Sequence, residues 1–164
     1  MSKPSFVYVT YIRSSAARVW QALTEGDITR RYWSQHRNVS DWKPGSTWQH
    51  QDANDPAIVD VAGTIVESQP PRRLVMTWSA PDEVDDPSRR SRVTYDIVED
   101  GDMVRFIVTH EDLDPDVLEG ISTGWPIVLS GLKSLLETGE PLPEMWVRDG
   151  SGGWKQTRFA SDPG

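Results

Sequence analysis

The chain has 164 residues, a size that one domain fills and that buries about 70% of its unfolded surface without staples. It contains no cysteine, which excludes disulfides, thiolate nucleophiles and cysteine-built zinc sites together. A formal net charge of −8 makes nucleic acid and anionic membrane surfaces poor default partners, and no stretch approaches the ~20 apolar residues of a membrane span.

The N-terminal MSKPSFVYV carries too short an apolar run for a signal peptide, so a cytoplasmic protein is expected. FVYVTYI, residues 6–12, is β-branched and aromatic and predicts a strand. RSSAARVWQALTE follows, with Ser14 or Ser15 as helix cap and Val19, Trp20 and Leu23 at helical spacing. Gly26 ends that helix, and Asp27 is placed to cap a second, short one that leads to Tyr32 and Trp33. Strands come next: GSTWQHQ with Trp48 and His50 on one parity, then the long AIVDVAGTIVESQ, in which Gly63 marks a bulge or bend. After a PPRR turn, LVMTWSA sets Leu74, Met76 and Trp78 on one face. An acidic-then-basic loop, residues 81–90, leads to SRVTYDIVE, with Val93, Tyr95 and Ile97 together. DGD is a hairpin turn, and MVRFIVTHE aligns Val104, Phe106, Val108 and His110.

Asp114 and Pro115 read as N-cap and first residue of a long helix, and Gly139 with Pro141 ends it. Ile121, Trp125, Val128, Leu129, Leu132, Leu135 and Leu136 form its apolar stripe. Gly124, Pro126 and Gly131 interrupt that stripe, although each glycine costs about 1 kcal/mol and an interior proline about 3. Such breakers suit a helix that closes one side of a cavity: Pro126 kinks it, Trp125 joins the wall, and the glycines allow close approach or leave space. Residues 1–143 are expected to form one domain, and 144–164 a partly mobile extension whose Trp146 packs back on the body. Strands first and a long helix last make an α+β layout, the helix lying on a curved antiparallel sheet. A helix that crosses a strongly curved sheet cannot touch it everywhere, and the gap between them is a natural pocket.

Three stretches, VWQALTEGDITRRYW, GTIVESQPPRRLVMTW and GWPIVLSGLKSLLETG, resemble in order and spacing the bacterial relatives of the C-terminal domain of the Hsp90 ATPase activator. That family belongs to the START-like, Bet v 1-like (SRPBCC) superfamily. The resemblance spans about residues 6–139. It implies a helix-grip fold, in which a sheet of six or seven strands wraps around the C-terminal helix with a hydrophobic cavity between them. It also implies a lipid, sterol, polyketide or flavonoid-like ligand, with cyclases and hydrolases in related branches.

The residues expected to line the cavity are Tyr8, Trp33, Trp48, His50, Met76, Trp78, Tyr95, Phe106, His110, Trp125 and Leu129. Aromatic walls with a few polar tips are what an apolar pocket needs. The three histidines, His36, His50 and His110, show no local ligand spacing, so no metal and no cofactor is expected. Nucleotide loops and nucleophile elbows are absent from the sequence. Three functions follow in order. The first is binding of a small hydrophobic molecule, oriented by Tyr8, Tyr95, His50 or His110. The second is a cyclase- or hydrolase-type enzyme with His110 or a pocket carboxylate as base. The third is a chaperone-linked interaction module with an exposed apolar patch around Trp42, Trp146 and Trp154. A homodimer is left open.

Overall fold

The computed structural model describes residues 2–151 and 154–156. Alternation of β-branched and aromatic residues sets up β1 (Phe6–Ile12), and its end feeds α1 (Ala16–Thr24). Ser15 caps that helix, its Oγ accepting from the Arg18 N–H at 3.2 Å. α2 (Gly26–Tyr32) starts at once, with Glu25 in the capping position and no side-chain cap. The expected cap, Asp27, lies inside the first turn and pairs with Arg37 at 3.2 Å. An acid there still complements the helix dipole.

A strand that the apolar pattern does not announce follows: β2 (His36–Ser40). Then come β3 (Thr47–Asp52), β4 (Val59–Gln69), β5 (Arg73–Trp78), β6 (Ser91–Asp100) and β7 (Met103–Glu111). All pair antiparallel in the order β1-β7-β6-β5-β4-β3-β2, giving one curled seven-stranded sheet. The fold is therefore α+β of the helix-grip type. α3 (Leu118–Thr138) lies in the concave side and runs unbroken through Pro126. A single 3-10 turn, Pro115–Val117, precedes it with Asp114 in the capping position and Pro115 first, as expected, while the Asp114 side chain makes no capping hydrogen bond and forms ion pairs with Lys3 and Arg89. At the other end Gly139, at φ +87°, closes the helix as its sequence position suggests. The tail adds a hairpin, β8 (Trp146–Arg148) and β9 (Trp154–Gln156). The side chain of Trp154 lies outside the described residues. Among the described residues no helix is long and apolar enough to cross a membrane.

The core sits between helix and sheet. Trp125, Val128, Leu129, Leu132 and Leu135 meet Ile12, Leu74, Met76, Val93, Tyr95, Phe106 and Val108 there. Each such side chain contributes about 1.5–3 kcal/mol by leaving water.

The glycines divide by what surrounds them. Gly63 is where β4 passes the β5 backbone: a Cβ there would lie 2.0 Å from the Thr77 carbonyl oxygen. The bulge itself falls two residues on, between Ile65 and Glu67. Gly131 lets α3 approach α2, with Tyr32 O 3.3 Å from an added Cβ. Gly124 faces open space. Gly63→Ala is therefore expected to lower stability by several kcal/mol or to abolish folding, because backbone must move. Gly124→Ala should raise it by about 1 kcal/mol through helix propensity alone. Urea denaturation of the two variants checks both signs.

Candidate functional site

Four elements bring indole rings to the open end of the grip. Trp33 follows α2, Trp48 comes from β3, Trp78 from β5 and Trp125 from α3. Trp33 lies 5.4 Å from Trp125 and 6.3 Å from Trp78 between ring centroids, and Trp78 lies 5.4 Å from Trp48 and 5.7 Å from Trp125. Tilted and edge-on contacts at these distances each add about 0.5–1.5 kcal/mol beyond burial. The rings fill the space between sheet and helix at this end.

A hydrogen-bond chain threads the cluster. The Trp125 indole N–H donates to His110 Nδ1 at 3.1 Å, which makes Nδ1 the acceptor and leaves Nε2 as the protonated nitrogen of a neutral ring. Nε2 donates to Ser91 Oγ at 2.8 Å, and that hydroxyl donates to the Trp78 carbonyl at 3.0 Å. His110 is fully buried, and burial pushes its pKa down to about 4. Each ring nitrogen is thus engaged within the protein.

The other two histidines form a second unit. His36 and His50 stack at 4.2 Å with their planes 6° apart. His36 Nδ1 faces the Ser34 carbonyl at 2.7 Å and Nε2 faces an Asp60 oxygen at 2.5 Å. The Ser34 carbonyl can only accept, so Nδ1 carries a proton, and Nε2 shares a short hydrogen bond with the Asp60 carboxyl group. His50 Nδ1 lies 2.6 Å from Asn38 Oδ1, its cross-strand neighbour. Burial first, and then the charge of His36, holds His50 well below the usual imidazole range. Glu144 of the tail feels the same charge, but burial prevails and raises its pKa.

Three clefts ring the Trp33–Trp78 pair. One, of about 260 Å³, lies among Trp78, Asp60, Val61, Arg89, Leu113 and Ile121. A second, of about 240 Å³, lies among Trp33, His36, His50, Asp60, Val61 and Trp146. A third, of about 90 Å³, runs along α3 between Trp33, Trp78, Gly120, Gly124, Trp125 and Val128. A larger and more polar hollow, of about 380 Å³, sits elsewhere, near Thr64, Thr77, Arg90 and Arg92, without an aromatic wall.

Comparison with known proteins follows this geometry. The family model described as Activator of Hsp90 ATPase homolog 1-like protein matches residues 13–137. The chain belongs to this family. Among solved structures it resembles PFC0360w, an Hsp90 activator from Plasmodium falciparum, with a TM-score of 0.67 and 18% identity over 80% of this chain and 95% of that one. It resembles the Aha1 dimer from Colwellia psychrerythraea with a TM-score of 0.68 and 17% identity over 84% of this chain and 98% of that one. It also resembles DynU16, a protein of the dynemicin biosynthetic locus, with a TM-score of 0.64 and 15% identity over 84% of this chain and 48% of that one. No curated protein matches the chain.

Within this family member the expected cavity residues divide. Trp33, His50, Trp78 and Trp125 border the clefts. Trp48, Met76, Tyr95, Phe106, His110 and Leu129 are buried in the packed core, and Tyr8 is half-buried on β1 opposite Val108. Of the patch expected around Trp42, Trp146 and Trp154, the side chain of Trp154 lies outside the described residues. Trp42 packs against the core with its N–H on the Thr24 carbonyl at 2.9 Å, and Trp146 borders the second cleft. Sequence reasoning passed over His36 and Asn38 as site residues. HRNVS shows no apolar alternation, because its inward residues are polar and Val39 points outward. The signal was the polar period itself, two histidines and an asparagine meeting across two strands.

His110 gives a pH prediction. Its folded pKa lies below the unfolded value, so the unfolded chain binds the extra proton first. Its contribution is complete above about pH 6.5 and is lost as pH falls toward 4. From pH 7.5 to 5 the loss is about 2 kcal/mol. Urea denaturation at the two pH values should show that much less pH dependence in His110→Gln than in the parent. Tyr95 gives another: its buried hydroxyl has no hydrogen-bond partner. Tyr95→Phe should therefore be neutral or stabilising, by up to about 1 kcal/mol, in the same assay.

Proposed function

We propose that the chain binds a small, neutral, flat hydrophobic or aromatic molecule at the rim of the grip, without transforming it. The observation that carries this is the ring of clefts around Trp33 and Trp78, where indole faces, the α3 backbone at Gly120 and Gly124, and a few polar atoms converge. The open space beside Gly124 explains why the helix tolerates a residue that costs it stability. A ligand edge can slide along α3 there, between Trp33 and Trp125. Likeness to a protein of the dynemicin biosynthetic locus is in keeping with small-molecule business, although that likeness concerns the fold.

The enzyme alternative through His110 is weaker on geometric grounds. A general base needs a free lone pair beside the substrate, and both nitrogens of His110 are committed to Trp125 and Ser91. A chaperone-linked role, which the Plasmodium protein's description suggests, has less support, because Trp42 packs against the core and Trp146 borders a cleft.

Tryptophan fluorescence and thermal-shift titrations with flavonoids, polyketide-like aromatics, sterols and fatty acids test the proposal. An aromatic ligand should quench or shift the emission and raise the melting temperature, since it stabilises the native state alone. Gly124→Leu, which fills the cleft along α3, should weaken that ligand at least tenfold while the fold is retained. Silence across the panel, or undiminished binding by Gly124→Leu, would count against the site.

A further inference from the structure

Resting on the function proposed above, we infer that the rim selects aromatic ligands bearing a hydroxyl or another hydrogen-bond donor, and that Nε2 of His50 is the atom that reads it. The inference comes from how the ring is held. His50 Nδ1 faces Asn38 Oδ1 at 2.6 Å, and an amide oxygen only accepts, so the proton of the neutral ring sits on Nδ1. Nε2 then carries a lone pair, and among the described residues it has no hydrogen-bond partner. His50 borders the second cleft together with Trp33, His36 and Trp146.

The ring is also fixed in plane. It lies flat on His36, with Trp33 at 5.1 Å and Trp78 at 6.5 Å on its other sides. His36 is itself anchored at both nitrogens, by Ser34 and Asp60. The acceptor therefore needs no reorganisation to meet a ligand, which is the condition under which one hydrogen bond discriminates. Protonation of His50 would convert the acceptor to a donor, and it is opposed by burial first and then by the electrostatic influence of His36. Among the described residues the ionisable groups around this unit include His36, Asp60, Glu144 and the buried Asp52 opposite His36. Three of these four are carboxyl groups, so a carboxylate ligand gains nothing here. A neutral phenol suits the cleft, with its ring against Trp33 and its O–H on Nε2.

The test is calorimetric titration with 2-naphthol and with 2-methoxynaphthalene, in which a methyl group replaces the donor hydrogen. The naphthol should bind about three- to tenfold more tightly, the worth of one hydrogen bond. His50→Phe keeps a ring of similar shape and should erase the difference. Equal binding of the two probes by the parent protein, or tighter binding of the ether, overturns the inference and leaves the function proposed above standing. Binding of neither overturns both. Should His50→Phe not fold, nitrogen-15 NMR of the parent protein decides: Nδ1 must be protonated and Nε2 bare, and a protonated Nε2 overturns the assignment.

Discussion

The chain of donors from Trp125 through His110 and Ser91 to the Trp78 carbonyl is the constraint on which the open end of this molecule depends. It joins α3, β7, β6 and β5 by three hydrogen bonds, two of them buried and the third, to the Trp78 carbonyl, half-buried. Breaking any one would leave a buried donor or acceptor bare, at about 1–3 kcal/mol, more than the bond itself is worth in an exposed place. The order of donors is also forced. A carbonyl can only accept and an indole N–H can only donate, so the histidine has one tautomer and the serine one rotamer. The result is a helix end held at fixed height above the sheet, with the indoles packed into the remaining space.

That filling decides where a ligand can go. Empty space between the curled sheet and α3 at the open end would forfeit dispersion contacts on every wall. Trp33, Trp48, Trp78 and Trp125 occupy much of it, and what remains is the clefts they border. The interior is committed to stability and the rim is left for recognition. The tail belongs to the rim as well: Trp146 borders the cleft of His36 and His50, and Glu144 lies within reach of the His36 charge.

Much of this was legible in the sequence. The strand at Phe6–Ile12, the hairpin at Gly101, the inward parity of Val93, Tyr95, Phe106 and His110, and the α3 stripe all follow from period and turn chemistry. The seven-stranded grip follows from the family resemblance together with that order. Three things were not legible. β2 faces inward with His36 and Asn38, and a polar strand carries no apolar period to read. Asp114 looks like a helix cap, but two cations, Lys3 and Arg89, are brought to it by distant loops. The filling of the pocket depends on side-chain volume in three dimensions. A list of aromatic residues with the right parity describes a wall and a plug equally well.

The three histidines then divide the chemistry in a way that favours recognition over turnover. A catalytic base needs a free lone pair and a pKa near the working pH. His110 has a tuned environment and no free nitrogen. Both ring nitrogens of His36 are engaged, by the Ser34 carbonyl and by Asp60. Only His50 offers a lone pair to a cleft, and burial together with the stacked His36 ring opposes its taking up a proton. A group that accepts a hydrogen bond well and a proton poorly can sort ligands but cannot drive a reaction by removing their protons. The burial of His50 against the His36 ring is what separates those two abilities.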